Sequence, residues 1–165
     1  MTTDTSYNGW TNRATWLVNL HLSNDHGTYL ALRDELAREL PTVTLAARAR
    51  YSEQHWPGLD ESTRAQLAND APRYDLAQLV EAFVASMVIV DDATDDPRSL
   101  LANDLVGSTL ATVDWREVAD GWVSDVEEND GAYNVECVGC DATIDARSCT
   151  VDPDGDGWCD ECANG

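Results

Sequence analysis

The chain has 165 residues, 43% of them apolar, and carries 31 acids against 10 bases, a formal net charge of -21. That length suits one domain, or one domain with a small appendage, and no apolar run approaches the roughly 18 residues of a membrane-spanning helix. The opening MTTDTSYNGW has neither a basic start nor an apolar stretch, so no secretory signal is expected and the chain is placed in the cytoplasm.

The residues up to Ser6 are polar and expected to be loose. Asn12 can cap a helix through Leu22, with Trp16, Leu17 and Leu20 as its apolar stripe. Asn24-Asp25-His26-Gly27 breaks it. Tyr29, Leu32, Leu36 and Leu40 then recur at helical spacing, and Pro41 is expected to stop that helix. An alanine-rich helix over 43–56 follows, ended by Pro57-Gly58, with room for a short helix over 60–69. The clearest pattern lies over 74–90, where Leu76, Leu79, Val80, Phe83, Val84, Met87 and Val88 keep i, i+3, i+4 spacing. The acidic stretch Asp91 to Asp96 reads as a turn. Pro97 then opens a helix carrying Leu100, Leu101, Leu105 and Leu110. Asp114-Trp115-Arg116-Glu117 has the form of a capping box and starts a last helix striped by Trp115, Val118, Ala119, Trp122 and Val126. Trp10, Trp16, Trp56, Trp115 and Trp122 supply large surfaces for a helical core. At Glu127 to Gly131 the composition shifts. Helical spacing ends, cysteines begin, and the domain boundary is drawn between residues 128 and 129.

Asn8-Gly9-Trp10-Thr11-Asn12-Arg13-Ala14-Thr15-Trp16 forms an N-G-W-x-N-x-x-T-W opening. It resembles the mark of a family of uncharacterised proteins from phages, plasmids and other mobile elements. Asn24 to Tyr29 and Val113 to Ala119 look like the same family, so the resemblance covers most of 7–126. Members commonly have an aromatic residue and an acid where this chain has Arg13 and Ala14. The resemblance implies a mobile-element origin and no mechanism. Physically, Asn8-Gly9 suits a turn, Asn12 a cap and the two tryptophans core anchors. Asn19, His21 and Asn24 could instead line a polar binding site.

Cys137-x2-Cys140 and Cys159-x2-Cys162 have 18 residues between them, a spacing expected of a zinc site built from two knuckles. Two cysteines three positions apart on a tight turn can aim at one ion, and a second turn completes a tetrahedron. Gly139 and Gly157 are expected to help make the turns. Ala142–Ile144 and Cys149–Val151 can form short antiparallel strands, giving a zinc ribbon. Four thiolates leave Zn²⁺ no open position, so its role is structural; iron is the rival metal. A cytoplasmic setting and the spacing both oppose disulfides, and no strand-to-helix turn supports a thioredoxin-like pair. Cys149 has no partner at this spacing and reads as a small buried apolar residue. Asp152, Asp154, Asp156 and Gly157 imitate half a calcium loop, but its twelfth position is Ala163 and it would overlap the zinc ligands.

All ten bases are arginine, lysine is absent, and aspartate outnumbers glutamate 21 to 10. In molar salt the Debye length falls to about 3 Å, so dense surface acid is tolerated. A mimic of DNA would need added carboxylates but not the loss of every lysine, which favours a halophilic archaeon. His21, His26 and His55 form no ligand set, and no nucleophile–base pair or phosphate loop is found, so an enzyme is not expected. The reading is a mainly α protein, with a helical domain over 1–128 and a zinc ribbon over 129–165, which acts by binding. A protein partner is favoured over nucleic acid, because Arg147 is the ribbon's only base. Two other classes stay open: an acidic decoy of DNA directed against restriction or another defence, and an enzyme with a site in the helices that no motif reveals.

Overall fold

The computed structural model describes residues 6–88, 97–128 and 131–165, and the backbone alone of 97–100. The loose start before Ser6, the turn at Asp91 to Asp96 and the contribution of Leu100 lie outside the described residues. In chain order come α1 (Arg13–Asn24), α2 (His26–Arg50), α3 (Glu61–Val88), α4 (Pro97–Leu110), α5 (Trp115–Glu127), β1 (Asn134–Glu136), β2 (Thr143–Asp145), β3 (Thr150–Val151), β4 (Gly157–Trp158) and α6 (Asp160–Ala163). The fold is mainly helical, with short antiparallel strands at the C-terminal end, as the sequence leads one to expect. The described residues gather into two compact units, one within 1–32 and 77–121, the other within 33–76 and 122–165. The second therefore holds helical residues and the cysteine segment together, and the composition shift after Glu128 falls inside it.

In the first unit, the opening motif ties α1 to the start of α5. Asn8 and Gly9 both have positive φ, 51° and 87°, and form the turn that lets Tyr7 and Trp10 pair. Asn12 caps α1: its Oδ1 accepts from Thr15 N at 3.0 Å, and its Nδ2 donates to Thr112 O at 2.8 Å. Thr15 is fully buried and its Oγ1 accepts from Asp114 N at 2.9 Å. Asp114 in turn caps α5, accepting from Glu117 N at 3.0 Å. The box departs from its usual form at one point. Thr15 takes the backbone N–H of Asp114 that Glu117 would normally take, and Glu117 turns instead to Thr11 N at 3.0 and 3.2 Å. Trp10 and Trp16 are half-buried, Tyr7 packing on Trp16 at 4.9 Å between ring centroids. Val113, Val118 and Ala119, which flank Asp114 and Glu117 in the chain, are buried.

Two expected helix breaks do not occur. α2 runs through Pro41 and α3 through Pro72, so the stop at Pro41 and the separate helices over 60–69 and 74–90 are corrected to two long helices. An interior proline costs a helix about 3 kcal/mol. Here each proline is itself buried on the apolar stripe: Leu32, Leu36, Leu40, Pro41, Leu45 and Ala49 on α2; Ala68, Pro72, Leu76, Val80 and Val84 on α3. Burial of a large apolar side chain is worth about 1.5–3 kcal/mol, so a stripe of several outweighs one lost hydrogen bond. The orphaned carbonyl of α2 belongs to Ala37, which is exposed and open to water. α3 starts where Asp60 accepts from Thr63 N and Oγ1 at 3.0 and 2.7 Å.

The end of α2 at Arg50 corrects the helix expected over 43–56 and leaves Trp56 outside it, 48% exposed and stacked on Tyr51. Met87, Leu101 and Leu105, expected on apolar stripes, are half or more exposed. Helical spacing marks a face; it does not say that a face is covered. No helix among the described residues is long and apolar enough to cross a membrane.

Candidate metal centre

The four predicted cysteines converge. The sulfurs of Cys137, Cys140, Cys159 and Cys162 all lie within 4.8 Å of one another, with Cys140 and Cys159 at 3.8 Å. A tetrahedron with metal–sulfur bonds of about 2.3 Å has edges of about 3.8 Å, so the four can close on one ion with small adjustment.

Local structure explains the convergence. β1 and β2 pair antiparallel, Asn134 with Asp145, Val135 with Ile144 and Glu136 with Thr143. The first knuckle is the turn that joins them. Cys137 N donates to Ala142 O at 2.8 Å, Asp141 N returns to Cys137 O at 2.9 Å, and Asp141 takes the positive φ of 58° that closes the loop. β3 and β4 form a second hairpin, Thr150 with Trp158 and Val151 with Gly157. Cys159 follows β4 at once and stands at the N-terminus of α6, a single turn that brings Cys162 back beside it. Val138 N donates to Gly157 O at 3.1 Å and couples the first knuckle to β4. The expected strand segments are found, but each pairs with a strand outside the cysteine-to-cysteine interval or beyond the acidic turn, not with the other.

Gly139 stands in the turn of the first knuckle, as expected, and Gly157 in β4, which corrects the turn expected there; neither has a positive φ, and both make room. A Cβ on Gly139 would sit 2.9 Å from Cys162 Sγ and 3.1 Å from Trp158 Cζ3. On Gly157 it would sit 3.3 Å from Cys149 Sγ. Close approach of the knuckles demands a residue without a side chain.

The electrostatics of the thiols point to a cation. Cys137 is held down at about 6, first by the N–H of Cys159, which donates to its sulfur at 3.3 Å, and further by the N–H groups of Gly139 and Cys140. Cys162 is pushed up to about 12, first by its contact with the Cys159 sulfur, then by Cys140 and by burial. Sulfurs this close cannot all ionise as neighbours of like charge, and a divalent ion removes the conflict. The cluster fits a metal held by four thiolates.

The remaining candidates are placed as follows. Cys149 is buried, as expected, beside Ala146 and Leu45. The acidic turn is structural: Asp152 Oδ1 accepts from the N–H groups of Asp154 and Asp156 at 3.0 and 2.9 Å, and its Oδ2 from Trp158 Nε1 at 3.1 Å. His21 borders an apolar cavity of about 370 Å³ in the first unit, lined also by Leu17, Leu22, Val84 and Leu110. His26 and His55 are exposed, and His55 Nδ1 meets Ser52 Oγ at 3.0 Å. Asn24 is also exposed and lies outside the lining of that cavity, so Asn19, His21 and Asn24 do not form one polar pocket there.

Sequence reasoning missed the part played by α2. Leu45 enters the small core of the ribbon, and Arg48 Nη1 donates to Ala146 O at 2.7 Å. No sequence signal links residues a hundred positions apart. Residues 3–54 match a family described only as a family of unknown function (DUF7249). The match takes in the opening motif, α1 and α2 and ends before the cysteines. No curated protein and no solved structure matches the chain.

Proposed function

We propose that this chain is a non-enzymatic binding protein of a halophilic archaeon, or of one of its viruses or plasmids. It works in the cytoplasm, with zinc as the structural ion of a ribbon that recognises another protein. Dense acid without a single lysine supports the habitat, and the N-G-W-x-N-x-x-T-W opening supports a mobile-element origin. Zinc is preferred to iron on the spacing of the two C-x2-C pairs, which is that of structural zinc sites.

The observation that carries the choice of partner concerns Arg147. This sole base of the ribbon is spent within the ribbon: its Nε and Nη2 engage both oxygens of Asp145 at 2.6–3.2 Å, and its guanidinium lies 4.2 Å from the Tyr133 ring centroid. A guanidinium committed to a carboxylate and a ring offers little to a phosphate. At the tip of the first knuckle, by contrast, Val138 is 53% exposed, an apolar contact point between two ligands.

The test is an affinity capture from haloarchaeal extract in high KCl, using the full chain and a Val138→Asp variant, each with and without nuclease. A protein partner captured by the wild type, lost with Val138→Asp and indifferent to nuclease supports this reading. A partner held equally by both would move recognition off the knuckle. Capture abolished by nuclease would favour nucleic acid.

A further inference from the structure

The ribbon leans on a helix from far earlier in the chain, and that helix has a weak point. The apolar core behind the metal site consists of Ala146 and Cys149 with Tyr133, Val135, Ile144 and Val151 around them, and one helical residue, Leu45. Arg48 fastens the next turn of α2 to the backbone of Ala146 at 2.7 Å and reaches Cys149 Sγ at 3.7 Å. The β3–β4 turn lies against the same helix: a Cβ on Gly155 would stand 3.9 Å from the Cα of Ala46 and 4.0 Å from Cβ of Ala49. Gly157, two residues before Cys159, approaches Leu45 closely enough that a Cβ there would lie 3.5 Å from Leu45 Cδ2. From the sulfur cluster to α2 is thus a path of two residues.

α2 after Pro41 is a short piece. Residues 42–50 are the last turns of α2, at its free C-terminal end and after a position that cannot donate its backbone hydrogen bond. These turns need cover for Leu45 and Ala49, and the ribbon supplies it. The ribbon in turn buries few hydrophobic residues of its own, Cys137, Ala146 and Cys149, and a bound ion would add to its stability.

We propose that metal loading at Cys137, Cys140, Cys159 and Cys162 controls whether the C-terminal turns of α2 are folded, so that the ion acts on the helical part of the second unit as well as on the ribbon. The proposal rests on the zinc reading above. By linkage the effect is reciprocal: changes on α2, far from any ligand, alter zinc affinity.

Hydrogen exchange on the full chain, in the zinc-loaded form and after chelation under reducing conditions, tests it. Metal content is measured in parallel. With free zinc at 100 times Kd, peptides covering 42–52 and 133–163 are expected to lose protection together on chelation, by about 100-fold, while those covering 13–24 keep theirs. Leu45→Ala is expected to weaken zinc binding by about tenfold or more. Should that variant fail to fold, Arg48→Met, which removes the bond to Ala146 O and the contact with Cys149 Sγ, is expected to weaken it in the same direction. Zinc bound one to one with protection over 42–52 unchanged by chelation overturns the inference and leaves the zinc reading standing. Loss of protection over 13–24 as well also overturns it, because the ion would then act on the whole chain. No bound metal removes both.

Discussion

The opening motif in the first unit and the ribbon in the second solve the same problem by different means. Each must fix a chain segment that has little apolar surface of its own. The first unit does so with neutral side chains that close backbone groups: Asn12 and Thr15 satisfy helix starts and carry the connection from α1 to the 112–117 segment. The second does so by bringing four sulfurs within 4.8 Å of one another, a set that could hold a cation. Hydrogen bonds of the first kind need no ligand and are insensitive to metal supply. On the inference above, the second arrangement makes the fold of its unit conditional on the ion, and Leu45 and Arg48 are the contacts that would carry the condition to α2.

The strongest way to break this comparison is Cys137→Ser. Cys137 is the buried member of the four, and its sulfur accepts the N–H of Cys159 that joins the two knuckles. A hydroxyl in its place is a harder and shorter ligand. Zinc affinity is expected to fall by more than the roughly 10–100-fold that changes outside the ligand set cost. Titration with cobalt, whose thiolate bands report each sulfur bound, checks it. The variant should leave protection over 13–24 at the wild-type level. If cobalt bands persist at full intensity, Cys137 is no ligand.

Thr15→Val cuts the other arrangement at its centre. The side chain keeps its shape, but Asp114 N and Asn12 each lose a partner beside a fully buried position. Leaving such groups unsatisfied costs about 1–3 kcal/mol. Urea unfolding in molar KCl should show a lower midpoint with the slope unchanged, and zinc affinity should not move. A parallel fall in zinc affinity would show that the two regions are not independent in the way the comparison requires.

The same contrast explains what the sequence disclosed. Cysteine spacing is a local signal of a local cluster, and the convergence of the four cysteines was legible in full. The cap at Asn12 and the box at Asp114 were legible as local motifs too, but the crossing by which Thr15 replaces Glu117 was not, since both partners satisfy their own local rule. Pro41 misled because proline has two properties. It removes a donor, which breaks helices, and it is apolar, which keeps it on a buried stripe; the second property won at Pro41, and Pro72 inside α3 follows the same rule. Met87 and Leu105 misled in the opposite sense, as apolar residues with correct spacing whose faces are left open. The contact of Leu45 with the ribbon joins segments a hundred residues apart, and nothing in either segment names the other.

The smallest effect belongs to the seam of the second unit where α5 meets the ribbon. Tyr133 donates its hydroxyl to Glu127 Oε1, and Arg73 lies 3.5 Å from the other oxygen of Glu127. Burial first, and then the bond to Glu127, raise the Tyr133 hydroxyl above its ordinary range. The neutral phenol is therefore favoured in the folded chain more than in the unfolded one. Its contribution is present in full below the unfolded value of about 10 and is lost as the pH rises through the folded one. Tyr133→Phe should cost about 1 kcal/mol at pH 7, and the gap between the two proteins should narrow above about pH 10. Urea midpoints of the zinc-loaded forms across that range check it. A gap that stays constant to high pH would mean that the ring, packed beneath Arg147, matters and the hydroxyl does not. The seam would then belong with the apolar contacts of α2 and not with the hydrogen-bonded arrangement of the first unit.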